Sequence, residues 1–216
     1  SVISTISSSL KIKKEMNMLD DKEFYEALQS INRTSQHLSN TIDDFRNFFS
    51  PNKEMNKFYV SQLIKKSKDL IKSRFDKFNI KVIENIDDIE ILSYQNELFQ
   101  VILNLFSNSI DVLSSNEIEN KIIYIKIYHD ENNLYIEFLD NGGGIKDEFI
   151  NRVFEPYFTT KHKSQGTGIG LYMSLQIVTK HLNGEISVKN DTFIHNNIKY
   201  FGAKFTILLP IHPKNS

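Results

Sequence analysis

Three short stretches of the chain carry residue types that can hold a nucleotide and its metal ion. They are Asn104–Asn108, Asp140–Gly144 and Gly166–Leu171, and they supply amides, a carboxylate and glycines in that order. The first lies on an apolar helical pattern, the second follows an apolar strand pattern, and the third precedes an amphipathic helical pattern. Each stretch is a weak signal alone. Together, in this order, they predict one pocket for a nucleotide and a metal ion.

The first stretch belongs to a polar row on an otherwise apolar helix. Asn104, Asn108 and Asp111 are separated by four and three residues, so they fall on one helix face. An amide oxygen is a hard neutral ligand suited to Mg²⁺, which keeps its waters and takes few protein groups beside phosphates. The row therefore indicates a metal and phosphate site. The alternative is a polar face turned to solvent, and for this stretch alone that alternative would be preferred.

The second stretch ends a strand with a carboxylate. Asp140 can accept a hydrogen bond from an exocyclic amine such as adenine N6, and Gly142 and Gly144 let backbone approach a flat ring. A charge-assisted hydrogen bond contributes about 1.5–3 kcal/mol, and a base without the donor would leave Asp140 unpaired. The pattern predicts adenine over guanine. A simple glycine turn is the alternative.

The third stretch opens a helix. Gly166, Gly168 and Gly170 precede that helix, whose free N–H groups and positive dipole end attract phosphate oxygens. Between the second and third stretches, the aromatic segment Phe154–Phe158 can anchor a loop over residues 161–165, which we interpret as a lid. Lys161 is predicted to reach phosphate. For Lys163 a solvated basic loop is an equal alternative.

The first fifty residues predict a helical hairpin. An apolar stripe with the 3.5-residue period of a helix bundle begins at Phe24, and a shorter one precedes it. The longer stripe is interrupted once, by Ser35, and consists of Phe24, Leu28, Ile31, Leu38, Ile42, Phe45 and Phe49. Asp20 and Asp21 are helix-cap candidates. Two helices cannot bury such a seam alone, so we predict a homodimer with a four-helix bundle. The alternative is a hairpin docked on its own chain.

Pro51 ends the hairpin and sets a domain boundary, giving domains 1–50 and 51–216. The second domain alternates strand and helix patterns and ends in two strands. Helices are predicted over 61–75 and 95–113 and from Leu171 to Leu182, and strands over 57–60, 79–85, 89–93, 123–127, 134–138, 184–189 and 199–209. This order predicts an α+β fold, a two-layer sandwich in which helices cover one face of a mixed sheet.

Composition excludes several classes of protein. The 216 residues include 26 basic and 27 acidic side chains, a near balance that argues against a nucleic-acid-coating protein. There is no cysteine, which excludes disulfides and cysteine-based zinc sites and is typical of a cytoplasmic location. No apolar run reaches the length of a membrane span, so we expect no direct membrane contact.

The motifs resemble those of bacterial sensor histidine kinases, members of an ATPase superfamily shared with gyrase, the Hsp90 chaperone and MutL. Asn104–Asn108 is similar to the N box, Asp140–Gly144 to the first glycine box, Phe154–Phe158 to the F box, and Gly166–Gly170 to the second glycine box. Gly202–Thr206 resembles the last glycine-containing strand. The similarity covers nearly the whole chain. It implies the Bergerat-type (GHKL) ATPase fold with ATP and Mg²⁺ as cofactors.

The resemblance also implies roles for single residues. Asn108 would hold Mg²⁺, Asp140 would read adenine, and Asn104 would lie near the phosphates as the catalytic residue. Asn104 stands where gyrase-like members have a glutamate that activates water, which favours phosphoryl transfer over hydrolysis. The implied nucleotide-binding set is Asn104, Asn108, Asp111, Asp140, Gly142, Gly144, Ile145, Phe154, Phe158, Thr160, Lys161, Gly166, Thr167, Gly168, Ile169, Gly170, Leu171 and Thr206.

Some features depart from the family pattern. The family's acceptor histidine lies on the first bundle helix and is followed by a polar or acidic residue and Pro-Leu, a context that none of the six histidines has. Because Ser1–Leu10 resembles the segment that comes after this motif in the family, we expect the acceptor to precede Ser1. Asp111, where many relatives have a basic residue, and the short lid resemble the nitrogen-regulatory subgroup. The segment Asn190–Asn197 is longer than the usual final hairpin, and the sequence assigns it no function.

The leading hypothesis is a kinase core that transfers the γ-phosphoryl of Mg·ATP to a histidine, from which a response-regulator receiver domain takes it. One alternative is a partner-binding module that nucleotide switches between conformations. Another is an ATPase of this superfamily that hydrolyses ATP to drive a clamp.

Overall fold

The computed structural model describes residues 2–32, 35, 54–160 and 167–211. The chain divides into two units, and we describe each by itself. The first contains helix α1 (Val2–Glu15) and a second helix, α2, described over 21–32. Asp20 caps α2, because its Oδ1 accepts the backbone N–H of Glu23 at 2.7 Å. The stripe positions Leu38, Ile42, Phe45 and Phe49, and the boundary at Pro51, lie outside the described residues.

The second unit is an α+β sandwich, as predicted. Its strands are β1 (Asn56–Tyr59), β2 (Ile80–Ile86), β3 (Glu90–Ser93), β4 (Lys121–His129), β5 (Asn133–Asp140), β6 (Glu185–His195) and β7 (Ile198–Pro210). Its helices are α3 (Val60–Phe78), α4 (Gln95–Ser115), α5 (Asp147–Ile150) and α6 (Gly170–Gln176), and a π-helical turn, Ile177–His181, follows α6. The main sheet has the order β2-β4-β5-β7-β6, in which β2 and β4 pair in parallel and the other neighbouring strands pair antiparallel. β1 and β3 form a separate antiparallel pair.

The core lies between the main sheet and the long helices. Three aromatic rings connect the helices to the sheet. The ring centroid of Phe106 on α4 lies 5.5 Å from that of Phe75 on α3 and 5.1 Å from that of Phe138 on β5, and both pairs are edge to face. On β5, Leu134, Ile136 and Phe138 alternate onto this face, and Asp140 continues the same alternation. The strand therefore delivers the Asp140 carboxylate to the helix side of the sheet.

The last two strands are longer than the sequence predicted. The segment Asn190–Asn197 continues β6 and then turns back into β7 through Asn196 and Asn197, which have φ values of 50° and 62°. Positive φ at both residues of a two-residue loop is the geometry that joins antiparallel strands tightly. The extension packs on the outer face of the sheet, where Phe193 stacks on Tyr124 at 5.4 Å. The helix predicted from Leu171 to Leu182 also differs, because its last turn is π-helical.

Candidate functional site

The candidate site begins at Asp140, the last residue of β5. Its side chain is almost fully buried, with 4% exposed. Its Oδ1 accepts the backbone N–H of Gly142 at 2.8 Å, and the backbone N–H of Ala203 and the hydroxyl of Ser109 also donate to the carboxylate. Burial nevertheless raises the pKa of Asp140 to about 6, because desolvation outweighs these hydrogen bonds. Asp140 is thus a hydrogen-bond acceptor held in a dry setting.

Glycines allow the backbone to close around this carboxylate. A Cβ at Gly202 would lie 2.0 Å from the backbone oxygen of Asp140. A Cβ at Gly142 would lie 2.3 Å from Cγ1 of Val112 on α4. Both contacts are far below van der Waals distance, so β7, β5 and α4 approach one another here only because these positions lack side chains. Three elements therefore meet around the Asp140 carboxylate.

Asn190 fixes the loop that follows Asp140, a role that the sequence analysis missed. Its Oδ1 accepts the backbone N–H of Ile145 at 2.8 Å, and its Nδ2 donates to the backbone oxygen of Ile145 at 2.7 Å. The adjacent Gly144 has φ of 81°, and a Cβ there would lie 2.6 Å from Asn190 Oδ1. One side chain from β6 thus satisfies both polar backbone groups of Ile145.

Asn104 joins the first predicted stretch to the third. Its Nδ2 donates to Ser174 Oγ of α6 at 2.8 Å. A Cβ at Gly170 would lie 2.4 Å from Asn104 Oδ1, so the first turn of α6 packs directly on this amide. Ile169 and Leu171 flank Gly170 and are half-buried. Ser174 was not predicted. The signal that could have identified it is its spacing of four residues from Gly170, which puts both on one helix face.

Asn108 lies one turn along α4 from Asn104. Its side-chain amide nitrogen is buried and has no hydrogen-bond partner among the residues that the structure describes. A buried N–H donor without a partner is costly, and an acceptor such as a phosphate oxygen or a water at this position would satisfy it. The described residues also contain no cluster of three or more acidic, histidine or cysteine side chains. Oδ1 of the same amide is the atom that could bind Mg²⁺, and one neutral oxygen fits an ion that is held mainly by phosphate oxygens and water.

Asp111 completes the polar row of α4, and its partner was not predicted. Arg74 of α3 places Nη2 2.8 Å from Asp111 Oδ1, while its Nη1 donates to Ser107 Oγ at 2.6 Å. Both charged side chains are about one third exposed, at 37% for Arg74 and 36% for Asp111. The two residues are 37 positions apart in sequence, and no local pattern connects them.

The aromatic segment lies next to Gly168, which follows the predicted lid residues 161–165 in sequence. The backbone N–H of Tyr157 donates to the oxygen of Gly168 at 3.0 Å, and Gly168 has φ of 67°. Phe154 packs against Phe205 of the core with ring centroids 6.4 Å apart, and Phe158 packs against Phe149 with ring centroids 5.5 Å apart. Thr160 is exposed and Thr167 is half-buried. Lys161 and Gly166 lie outside the described residues.

Thr206 does not join the other predicted residues. It pairs with Glu137 on β5. Strand alternation therefore directs Thr206 to the outer face of the sheet, opposite to the face that carries Asp140. Ala203, three residues earlier, makes the contact with Asp140 instead. The glycine-containing strand thus contributes backbone groups to the site rather than the Thr206 hydroxyl.

The geometry agrees with a known family. The model of the histidine kinase-, DNA gyrase B- and HSP90-like ATPases matches residues 93–213, which is more than half of the chain. The chain belongs to this family. The match begins just before α4 and ends after β7, so this ATPase domain includes the residues around Asp140, Asn104 and Asn108.

Relatives identify the kind of ATPase domain. Sporulation kinase E of Bacillus subtilis is 32% identical over 155 residues, which are 71% of this chain and 19% of that protein. The signal transduction histidine-protein kinase AtoS of Escherichia coli is 28% identical over 159 residues, 73% of this chain and 24% of that protein. The chain thus spans about a fifth to a quarter of these relatives. It carries the catalytic ATP-binding domain of a sensor histidine kinase.

Solved structures share the fold of this ATPase domain. The catalytic domain of histidine kinase ThkA superposes with a TM-score of 0.61 and 25% identity, covering 74% of this chain and 97% of that one. ThkA in complex with the response regulator TrrA gives a TM-score of 0.72 at 22% identity, covering 98% of this chain and 58% of that one. Within the described part of the chain, no helix is long and apolar enough to cross a membrane.

Proposed function

We propose that this ATPase domain binds ATP with Mg²⁺ and transfers the γ-phosphoryl group to a histidine, from which a response-regulator aspartate receives it. The observation that carries the proposal is the line of polar groups along α4. Ser109 donates to Asp140 at one end, Asn104 packs on Gly170 at the other, and the unsatisfied amide of Asn108 lies between them. This arrangement suits a ligand with an amine-bearing base, a chain of phosphates and a metal ion.

Each part of the site has a chemical role in the proposal. The Asp140 carboxylate accepts from adenine N6, and backbone near Gly142 and Gly144 contacts the ring. Asn108 would hold Mg²⁺ through Oδ1, and the ion would neutralise phosphate charge. The start of α6 at Gly170 offers backbone N–H groups to phosphate oxygens. In the transfer, a histidine nitrogen forms a bond to the γ-phosphorus, the bond from that phosphorus to the β–γ bridging oxygen breaks, and ADP leaves.

Asn104 supports transfer rather than hydrolysis. Water attack on ATP requires a group that can take a proton, and an amide is a very poor base. The contact of Asn104 with Ser174 Oγ orients its amide, and neither group carries a carboxylate. We therefore expect negligible steady-state ATP hydrolysis, whereas a clamp ATPase would turn over continuously.

We also propose two domains, 1–50 and 51–216, and a cytoplasmic homodimer formed through the helical hairpin. In the single chain, the stripe residues Phe24 and Leu28 are 39% and 42% exposed. Burial of such a stripe in a four-helix bundle would stabilise a dimer. Analytical ultracentrifugation at micromolar concentration tests this, and a monomer under all conditions would contradict it.

The central experiment measures nucleotide selectivity and transfer. Calorimetric titration should show that ATP binds in the presence of Mg²⁺ and that GTP binds at least tenfold more weakly, because guanine lacks the N6 donor. Incubation of the chain with γ-labelled ATP tests the acceptor. Since no histidine here has the family's acceptor context, we expect no stable acid-labile phosphate, and labelling would place an acceptor within the chain. Equal affinity for ATP and GTP would contradict the adenine assignment.

A nucleotide-switched binding module is the second candidate, because it would use the same pocket without transfer. A longer protein that adds the acceptor helix separates the two candidates. Phosphate on its histidine that passes to a receiver domain supports the kinase. Tight ATP binding with no histidine phosphate supports the switch.

A further inference from the structure

One ion pair joins α3 to the polar row of α4. Arg74 contacts Asp111 and Ser107, which lie one helical turn apart on α4. Asp111 follows Asn108 by three residues, so its carboxylate lies on the helix face that carries the unsatisfied amide. The pair is therefore next to the position proposed for Mg²⁺ and the phosphates.

A carboxylate at this position is unfavourable for the proposed ligand. ATP carries about four negative charges near neutral pH, and like charges in a partly buried site repel each other much more strongly than in water. Asp111 is only about one third exposed, so water screens its charge incompletely. An arginine is always protonated, and its planar guanidinium can donate to a carboxylate oxygen and a hydroxyl at the same time. Arg74 is placed to cancel the charge of Asp111.

We propose that Arg74 neutralises Asp111 and thereby permits a triphosphate to bind beside Asn108. Arg74 is a positioning residue in this proposal, since it acts through Asp111 rather than on the reacting atoms. The inference rests on the proposed ATP site and adds to it a residue from outside the matched residues 93–213.

The competing explanation is that Arg74 only ties α3 to α4. The two explanations differ in what happens when the charge of Asp111 is removed together with Arg74. If Arg74 neutralises Asp111, a chain with Arg74→Ala and Asp111→Asn regains nucleotide affinity although the ion pair is absent. If Arg74 is a tether, the double variant stays as weak as Arg74→Ala or becomes weaker.

The experiment is a calorimetric comparison of ATP, ADP and adenosine binding to the full chain at low ionic strength. Arg74→Ala should weaken ATP by about tenfold, ADP by less, and adenosine not at all, because the repulsion grows with phosphate charge. Adding Asp111→Asn should bring ATP affinity back to within about threefold of wild type. Lys68→Ala is the matched control: Lys68 also lies on α3, is similarly exposed, and pairs with Glu84 of β2 at 2.6 Å. It should leave all three affinities unchanged.

Three outcomes would overturn the inference. Equal loss for ATP and adenosine, no loss in Arg74→Ala, or no recovery in the double variant each contradicts charge neutralisation. Wild-type protein that fails to bind ATP would overturn the proposed function as well, whereas ATP binding that is indifferent to Arg74 overturns only this inference. Far-ultraviolet circular dichroism of each variant identifies a folding defect, and in that case Arg74→Gln replaces Arg74→Ala in the same comparison.

Discussion

Replacing Asp140 with asparagine separates the effects of this carboxylate on stability and on binding. The change keeps the size of the side chain and removes its charge. The pKa of Asp140 is raised from 3.8 to about 6 in the folded protein, mainly by burial. The folded state therefore binds the proton more tightly than the unfolded state does. It follows that the wild-type protein loses stability as the pH rises from about 4 to about 6, and no more is lost above that range.

The difference between the folded-state and unfolded-state pKa of Asp140 sets how much stability is lost as the pH rises. A change of about two pKa units corresponds to about 3 kcal/mol. Asp140→Asn does not titrate, so its stability relative to wild type should rise by up to about 3 kcal/mol between pH 4 and pH 7. The amide also meets the N–H donors of Gly142 and Ala203, which adds a penalty that does not depend on pH. Urea unfolding of both proteins at four pH values, followed by circular dichroism, measures the difference.

Binding should change in the opposite direction. At pH 7.5 the variant lacks the proposed charge-assisted hydrogen bond to adenine, so its ATP affinity should fall by about ten- to a hundredfold. The substitution would thus remove the loss of stability between pH 4 and pH 6 and at the same time weaken binding, which is typical of a residue kept for its chemistry. Titration calorimetry measures this fall.

Asp191→Asn is the matched control. Asp191 lies on the same sheet, and the backbone N–H of Thr192 together with Lys189 and Lys204 lowers its pKa to about 2. Its contribution to stability is present above pH 4 and is lost as the pH falls through about 2, so its variant should be less stable than wild type at pH 7. If the stability difference for Asp140→Asn does not change between pH 4 and pH 7, burial does not hold its proton. Unchanged ATP affinity would remove Asp140 from the adenine site.

Three further substitutions test other contacts of the site. Gly170→Ala should change the free energy of unfolding by no more than about 1 kcal/mol, since alanine favours a helix. It should weaken Mg·ATP binding, because the added Cβ displaces the Asn104 side chain. Urea unfolding measures the first effect and calorimetry the second. Gly202→Ala should destabilise the fold by about 1–3 kcal/mol or more, because its Cβ meets the Asp140 backbone oxygen at 2.0 Å, and a thermal midpoint equal to wild type would contradict this. Asn190→Ala should weaken ATP binding by freeing Ile145, whereas the exposed Thr192→Ala should not, as parallel calorimetric titrations would show.

The sequence predicted the elements whose patterns are local. The alternation of β5 located Asp140 at a strand end, and the spacing of the polar row on α4 located Asn104 and Asn108 on one helix face, as the structure confirms. The two-layer fold with one helical face was predicted correctly for the same reason. Element ends were less exact, because the continuation of β6 past Lys189 depends on packing of Phe193 over Tyr124.

The contacts that support the predicted residues were not predictable in the same way. Arg74, Ser174 and Asn190 each contact the site from another element, at separations of 37, 70 and 45 residues. Such pairs have no periodic signal in a single sequence, because the fold rather than the local chain brings them together. Thr206 is the reverse case: motif resemblance selected it, whereas strand alternation directs its side chain to the face opposite Asp140.

The last two strands connect the outer face of the sheet to the surroundings of Asp140, the proposed adenine end of the site. β7 contributes the backbone N–H of Ala203 to Asp140, and β6 contributes Asn190 to Ile145. On the outer face, the same strands are held by Lys204, whose Nζ lies 2.9 Å from Glu137 Oε1 and 3.3 Å from Asp191 Oδ2. Because a strand is stiff across a few residues, the register that Lys204 stabilises also sets the positions of Ala203 and Asn190. The extended hairpin therefore supports the adenine end of the proposed nucleotide site through one backbone N–H and one amide side chain.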